Sequence, residues 1–377
     1  MKVAFVSDTH FGYARFEEDA SAQGRAAILD AAQRADVLVL GGDIFDHRIP
    51  KLETILEVAK ALQEARRKLE AKKGEISPLI LGIHGTHERR AKDALNPIAM
   101  LAQMGLMEDL HNRTITVERS GENGKTERAS FSGMGGIPDD LVHEALLHLA
   151  CKPVADAVNF FVFHQTLREF IPVPLDALAS IDDLPAGYDY YLCGHIHARS
   201  ERMNGKLLLS GSTVMTQMKD EEKTGKGYYI IDTLAPAGSQ ASFIPILTRP
   251  FEVSELKFEK AKPSEVREEV EKEIQRLLSR KWEDKPVLKI RLAGNLNSES
   301  SDLDLNGLER TEQAFVFIDN RLEGMNLAAG LAALKEERMS RATPLELGMA
   351  MLRERAGKAG MKPERAQELF EKYSKEE

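Results

Sequence analysis

The sequence predicts an α/β protein: two sheets flanked by helices, then a small α/β domain, then a C-terminal helical hairpin. Three observations lead there. Five short apolar runs each stop at an Asp or a His. The chain opens as strand, helix, strand, which implies a parallel pair. Near Pro250 the composition changes, and the pattern becomes strand, helix, strand, strand without any cluster of metal-ligating residues.

The first run, Val3-Ala4-Phe5-Val6, ends at Ser7-Asp8-Thr9-His10. Phe11 to Ala20 reads as a loop, and Arg25 to Arg34 as a helix carrying Ala26, Ile28 and Leu29. The second run, Val37–Leu40, ends at Gly41-Gly42-Asp43. Pro50 then opens a long amphipathic helix to about Lys72, with Ile55, Val58, Ala59 and Leu62 on one stripe, closed by Gly74. The third run, Leu79–Ile83, ends at His84-Gly85-Thr86-His87-Glu88. Asn96-Pro97 begins a helix with a stripe of Ile98, Leu101, Ala102 and Met104. A hairpin pairs 114–120 with 128–133 around Glu122-Asn123-Gly124. A helix from Asp139 to Leu149, on which His143 and His148 are bystanders, leads to the fourth run, Phe160–Phe163, ending at His164. The fifth, Tyr190–Gly194, ends at His195-Ile196-His197. Three strand-like runs follow, Lys206–Leu209, Gly227–Ile231 and Ser242–Leu247, and suit a second sheet packed on the first.

Beyond Pro250, the helix from Pro263 to about Lys281 is dense in Glu, Lys and Arg, and strands follow at Val287–Leu292 and Ala314–Ile318. The chain ends in two short helices. Thr343-Pro344-Leu345-Glu346 supplies an N-cap, a Pro at the first helical position and a capping-box Glu. Leu345, Met349, Leu352 and Ala356 stripe one arm; Ala366, Leu369, Phe370 and Tyr373 stripe the other. Such a pair either folds back on the body or lays its apolar face in a partner's groove.

At 377 residues the chain is long enough for more than one domain. Hydrophobic residues make up 42% and charged residues 29%, as in soluble globular proteins. The sequence has no apolar run of ~18 residues, the length a membrane span needs. No secretory signal stands at its start, and two cysteines, Cys151 and Cys193, exclude a dense disulfide framework. A cytoplasmic protein is expected. Its net charge of −9 does not by itself suggest a nucleic-acid binder, which would need a local basic groove. All 10 histidines fall between His10 and His197, so the chemistry lies in the first part.

In α/β sheets ligands bind beyond the carboxyl ends of the strands, so five runs ending in Asp or His point at one place. Asp and His bind first-row divalent metals through oxygen and nitrogen. Asp8 and His10, two apart in an extended segment, would face the same side. Their number suffices for two metals. Asp8-x-His10, Gly42-Asp43, Gly85-x-His87-Glu88, His164 and Gly194-His195-x-His197 together resemble the ordered motifs of the calcineurin-like metallophosphoesterases. The Gly42-Asp43-Ile44-Phe45-Asp46 box and the later layout resemble the Mre-type nucleases, subunits of double-strand-break repair complexes built on an SMC-like ATPase.

The resemblance implies a two-sheet metallophosphoesterase domain over 1–250, a DNA-binding capping domain over 251–330, and a linker with a helix–loop–helix over 331–377. That terminal element, from residue 340 on, would grip the coiled coil of the ATPase, and a homodimer contact would fall near the Met104 stripe. One metal would be held by Asp8, His10 and His197, the other by His164 and His195, with Asp43 bridging. Manganese is the metal the resemblance favours; N/O ligands alone also suit iron or zinc. His87 would bind no metal but assist the leaving group while a hydroxide held between the ions attacks the phosphodiester.

Two departures stand out. Thr86 occupies the place of the family's Asn, normally an amide-oxygen ligand to the second metal. Asp46-His47 stands where several members place a histidine one residue earlier. Three functions therefore compete: a manganese-dependent DNA nuclease, exonuclease and endonuclease, working near the nucleoid with its ATPase; a small-molecule phosphodiesterase; and a weakly active scaffold.

Overall fold

The computed structural model describes residues 1–72, 79–90, 94–120, 126–171, 178–235, 240–324 and 352, apart from the side chains of 221 and 224. Gly74, the hairpin turn at 122–124 and the terminal helical pair lie outside them, except for Leu352. The chain divides into two compact units, Met1–Arg249 and Pro250–Glu377.

In the first unit one sheet has the order β12-β11-β1-β2-β3-β4: β1 is Lys2–Val6, β2 Val37–Leu40, β3 Ile80–Gly82, β4 Glu108–Asp109, β11 Gly227–Asp232 and β12 Ala241–Pro245. The other has the order β5-β6-β7-β8-β10-β9: β5 is Thr114–Ser120, β6 Thr126–Met134, β7 Val158–His164, β8 Tyr190–Gly194, β9 Ser200–Arg202 and β10 Leu207–Leu209. Strands β1 to β4 run parallel, as do β6, β7, β8 and β10.

The period of two along each strand decides the layering. Val3 and Phe5 face the second sheet and pack into one core with Val37, Val39, Phe131, Phe160, Val162 and Leu192. Ala4, Val6, Leu38 and Leu40 face the other way, against α1 (Glu17–Arg34), α2 (Leu52–Glu70) and α3 (Pro97–Gln103). The outer face of the second sheet, with Phe161, Phe163, Tyr191 and Cys193, packs on Val142 and Ala145 of α4 (Val142–Leu147) and neighbouring segments. The result is a four-layer sandwich, helix–sheet–sheet–helix.

Several sequence expectations need correction. The three runs after His197 do not make one sheet: Leu207–Leu209 joins the second, while β11 and β12 pair beside β1 in the first. The second sheet is instead built around β6, β7 and β8, so the five His- and Asp-bearing strand ends are shared between two sheets. Helix α1 begins at Glu17, not near Arg25, because Glu17, Glu18 and Asp19 suit a helix N-terminus. Helix α2 starts at Leu52, since Pro50 and an extended Lys51 precede it. The 139–149 helix shortens to a 3-10 turn at Asp139–Leu141 followed by α4.

The second unit carries a parallel sheet β13-β14-β15, of Phe251–Ala261, Val287–Leu296 and Phe315–Glu323. Helix α5 (Pro263–Leu278) makes the crossover and buries Val266, Val270, Ile274 and Leu277 against Leu288, Ile290 and Leu292.

Candidate metal centre

Because β1, β2 and β3 in one sheet and β7 and β8 in the other are parallel within their sheets, their carboxyl ends open onto one place. All seven predicted ligand residues and His87 meet there. Backbone bonds tie the loops together: Asp8 N–H donates to Gly42 O at 3.0 Å, and His10 N–H to Asp43 O at 3.0 Å. Gly42 lies at φ +92°, and a Cβ there would meet His164 Nδ1 at 2.6 Å. At Gly85 a Cβ would meet Asp43 Oδ1 at 2.1 Å. Both loops must be bare to let the side chains approach.

Asp8 and His10 are not extended, as expected from their spacing, but left-handed, at φ 54° and 47°. Asp43 (φ 47°) and His195 (φ 81°) share that conformation. It turns the chain sharply at each strand end and delivers the side chain inward; it is strained for most residues but tolerated by Asp and His.

The donor atoms form overlapping sets: Asp8, His10 and His197; Asp43, His164 and His195; and His10, Asp43 and His87. His10 Nε2 lies 3.1 Å from His197 Nε2 and 4.0 Å from Asp8 Oδ1, which is 3.7 Å from His197 Nε2. In the second set His164 Nε2 lies 3.1 Å from Asp43 Oδ2. Thr86 Oγ1 stands 3.2 Å from the same Oδ2 and 3.4 Å from His195 Nδ1.

The fit to cations follows from where the protons go. His164 Nδ1 donates to Gly41 O at 2.8 Å, and His10 Nδ1 to Asp46 Oδ1 at 3.0 Å. In neutral rings the other nitrogen then carries a lone pair. His164 Nε2 is buried, and the atom it faces most closely is Asp43 Oδ2 at 3.1 Å. His10 Nε2 faces another imidazole nitrogen. Electron pairs aimed at one another and at carboxylates, each ring braced from behind by an oxygen, suit divalent cations.

The electrostatics show a centre that calls for positive charge, which either a proton on His164 or a bound cation would supply. Burial raises the Asp43 carboxyl, but His164, His10 and His87 together outweigh it and hold Asp43 far below the ordinary range. Burial lifts Asp8 against the attraction of His164. Burial opposes charge on His164, yet Asp43 beside it lifts the ring to about 9. Burial, then His164, lowers His195 to about 4; burial, then His10, lowers His197 to about 2. These last two rings are neutral at pH 7 and ready to donate.

His87 differs from the others in exposure. Its side chain is 43% exposed, and its Nδ1 donates to Asp46 O at 2.7 Å. The ring stands edge-on to His10 with centroids 5.0 Å apart. Its backbone N–H donates to Asp43 Oδ1 at 2.8 Å.

Two residues do more than the sequence reading assigned them. Asp46 braces His10 by its carboxylate and His87 by its carbonyl. Glu88, fully buried, accepts from Phe45 N–H at 2.9 Å and Gly85 N–H at 2.8 Å, locking the Asp43 loop to the His87 loop. Burial, then Asp43, raises Glu88 to about 8. A carboxylate next to a ligand motif was the available signal for each. His143 lies outside the centre, near Asp183.

A family model described as calcineurin-like phosphoesterase matches residues 1–199. Among similar proteins, "DNA double-strand break repair protein Mre11" of Methanopyrus kandleri is 30% identical over 62% of this chain and 54% of its own. Its namesake in Archaeoglobus fulgidus is 29% identical over 52% of this chain and 46% of its own. The match thus spans about half the length of these two relatives. The namesake in Sulfolobus acidocaldarius is 24% identical over 78% of this chain and 76% of its own.

Proposed function

The chain belongs to the calcineurin-like phosphoesterases, and from that premise we propose that it is a two-metal DNA nuclease of double-strand-break repair. The similarity to the proteins named for that repair supports the reading, and the match over 310 residues carries it beyond the phosphoesterase region. The observation that bears most weight is the converging nitrogen and carboxylate set shared by two sheets.

In this reading Asp8, His10 and His197 hold one ion, and His164, His195 and the hydroxyl of Thr86 the second, with Asp43 between them. Manganese fits the N/O donors. When bound, such a pair activates water and neutralises charge on the scissile phosphate. His87, exposed at the rim and braced by Asp46, serves the leaving oxygen and binds no ion. The enzyme acts on DNA ends by 3′–5′ exonuclease and endonuclease cleavage. The 251–330 domain caps DNA, residues 340–377 dock an SMC-like ATPase coiled coil, and the chain pairs as a homodimer. Among the described residues no helix is long and apolar enough to cross a membrane.

The test is manganese-dependent cleavage of duplex ends alongside a small aryl phosphodiester, with Asp43→Asn as the inactive control. Cleavage of both substrates is expected. Turnover of the aryl ester with intact DNA would make this a small-molecule phosphodiesterase. Metal binding without either activity would make it a scaffold.

A further inference from the structure

Away from the ligands, the loop between β10 and β11 carries a chain of buried polar contacts. Glu222 and Lys226 pair at 2.9 Å with side chains only 3% and 5% exposed. Such a pair is seldom better for stability than apolar packing of the same volume. Its connections indicate another use. Glu222 Oε1 accepts from Thr216 N–H at 2.9 Å, and Oε2 from Gln217 N–H at 2.9 Å. Lys226 Nζ donates to Ser212 Oγ at 2.9 Å and to the carbonyl of His197 at 3.2 Å. Thr216 Oγ1 in turn lies 2.6 Å from His197 Nδ1. The network therefore ends on both the backbone and the ring of one residue.

The hydroxyl proton has two directions available. Towards His197 Nδ1 it would leave the ring's own proton on Nε2, which faces His10 Nε2 at 3.1 Å and Asp8 Oδ1 at 3.7 Å. Towards Glu222 Oε1, 3.5 Å away, it lets Oγ1 accept from Nδ1–H and leaves Nε2 with its lone pair. The carboxylate favours the second arrangement, because it accepts and cannot donate. Tyr13, whose N–H donates to His10 O at 3.0 Å, also donates its hydroxyl to Thr216 O at 2.8 Å, tying this loop to the His10 turn.

We propose that Thr216, held by Glu222 and Lys226, is a positioning residue that fixes the tautomer and orientation of His197, presenting Nε2 to the ion shared with Asp8 and His10. The proposal rests on the assignment of those three residues to one ion. Groups that brace metal-bound histidines are worth about 10–100-fold in metal affinity.

The experiment uses the full chain, stripped of metal and titrated with Mn²⁺ by calorimetry, with ring-nitrogen NMR of His197 before titration. Thr216→Val should weaken one of the two Mn²⁺ sites by about 10–100-fold, leave the other, and mix the His197 tautomers. Thr216→Ser should restore both readouts. Glu222→Gln, which keeps one acceptor oxygen, should give an intermediate loss. Thr216→Val with both affinities and a single tautomer retained would overturn the proposal, reducing the network to a loop staple. Equal weakening of both sites with a lowered melting temperature would overturn it too. His197→Ala separates the underlying reading: retention of two ions there would refute the ligand assignment itself, and the proposal with it.

Discussion

Replacing Thr86 by Asn tests the proposed centre where the sequence departs from the motif it resembles. Thr86 Oγ1 is 3.2 Å from Asp43 Oδ2 and 3.4 Å from His195 Nδ1, so the hydroxyl already stands among the donors of the second set. Its proton is committed to Asp43, and only one weakly basic oxygen remains for an ion. Asn adds one methylene-length of reach and an amide oxygen with two lone pairs. The first set, with Asp8, His10 and His197, does not contain this position. Manganese titration of the wild type should therefore show unequal sites, and Thr86→Asn should tighten the weaker one alone. One neutral ligand is taken as about 1–2 kcal/mol, roughly five- to thirtyfold in affinity. The manganese needed for half-maximal cleavage of an aryl phosphodiester should fall by the same factor, because both ions act together. Thr86→Val, which removes the hydroxyl, sets the other bound. Unchanged affinity and activity in Thr86→Asn, with loss in Thr86→Val, would refute the reasoning and show that the hydroxyl already completes the site.

His87→Ala should lower cleavage by about a hundred- to ten-thousandfold while two ions remain bound by calorimetry; equal loss of an ion would make His87 a ligand. If residues 340–377 dock a coiled coil as proposed, deleting them should abolish that binding and leave aryl phosphodiester cleavage intact, whereas a collapse in melting temperature would favour the folded-back reading. Burial raises the Glu222 carboxyl, but Lys226 and the N–H groups of Thr216 and Gln217 outweigh it and depress it below its usual 4.5. A depressed carboxyl gives stability that is present above 4.5 and lost as pH falls through its folded value. Metal-free wild type should thus lose melting temperature below pH 4.5 more steeply than Glu222→Gln; parallel curves would mean the pair is not ionised.

The strand ends were legible because burial on both faces writes an unbroken apolar run, and a run that halts at Asp or His is conspicuous. Sheet membership was not. Whether Leu207–Leu209 joins β8 or β11 depends on long-range pairing, and three apolar residues in a row carry no register. The helix start at Glu17 was marked by three consecutive acids, but they lie in the stretch from Phe11 to Ala20 that reads as a loop leading out of the metal motif. The candidate ligand residues were legible; the groups behind them were not. Asp46 and Thr216 act through contacts with residues far away in sequence, Asp46 with His10 and His87 and Thr216 with His197. Only the i,i+4 spacing of Glu222 and Lys226 hinted at a pair, and that spacing is common on any solvated helix.

The left-handed backbone at Asp8, His10, Asp43 and His195 also sets which substitutions this centre can explore. Glycine, Asn, Asp and His enter that conformation at modest cost; a β-branched residue does not. A single mutation at these positions therefore finds a comfortable backbone mainly when it offers another oxygen or imidazole donor, or none at all. Drift towards a thiolate at these four positions is discouraged by the curvature of the chain before any metal is consulted, and drift towards a silent position, through Gly, remains open. The turns that aim these side chains thus act as an inheritance filter: they hold the four positions to oxygen and nitrogen chemistry or let them go quiet.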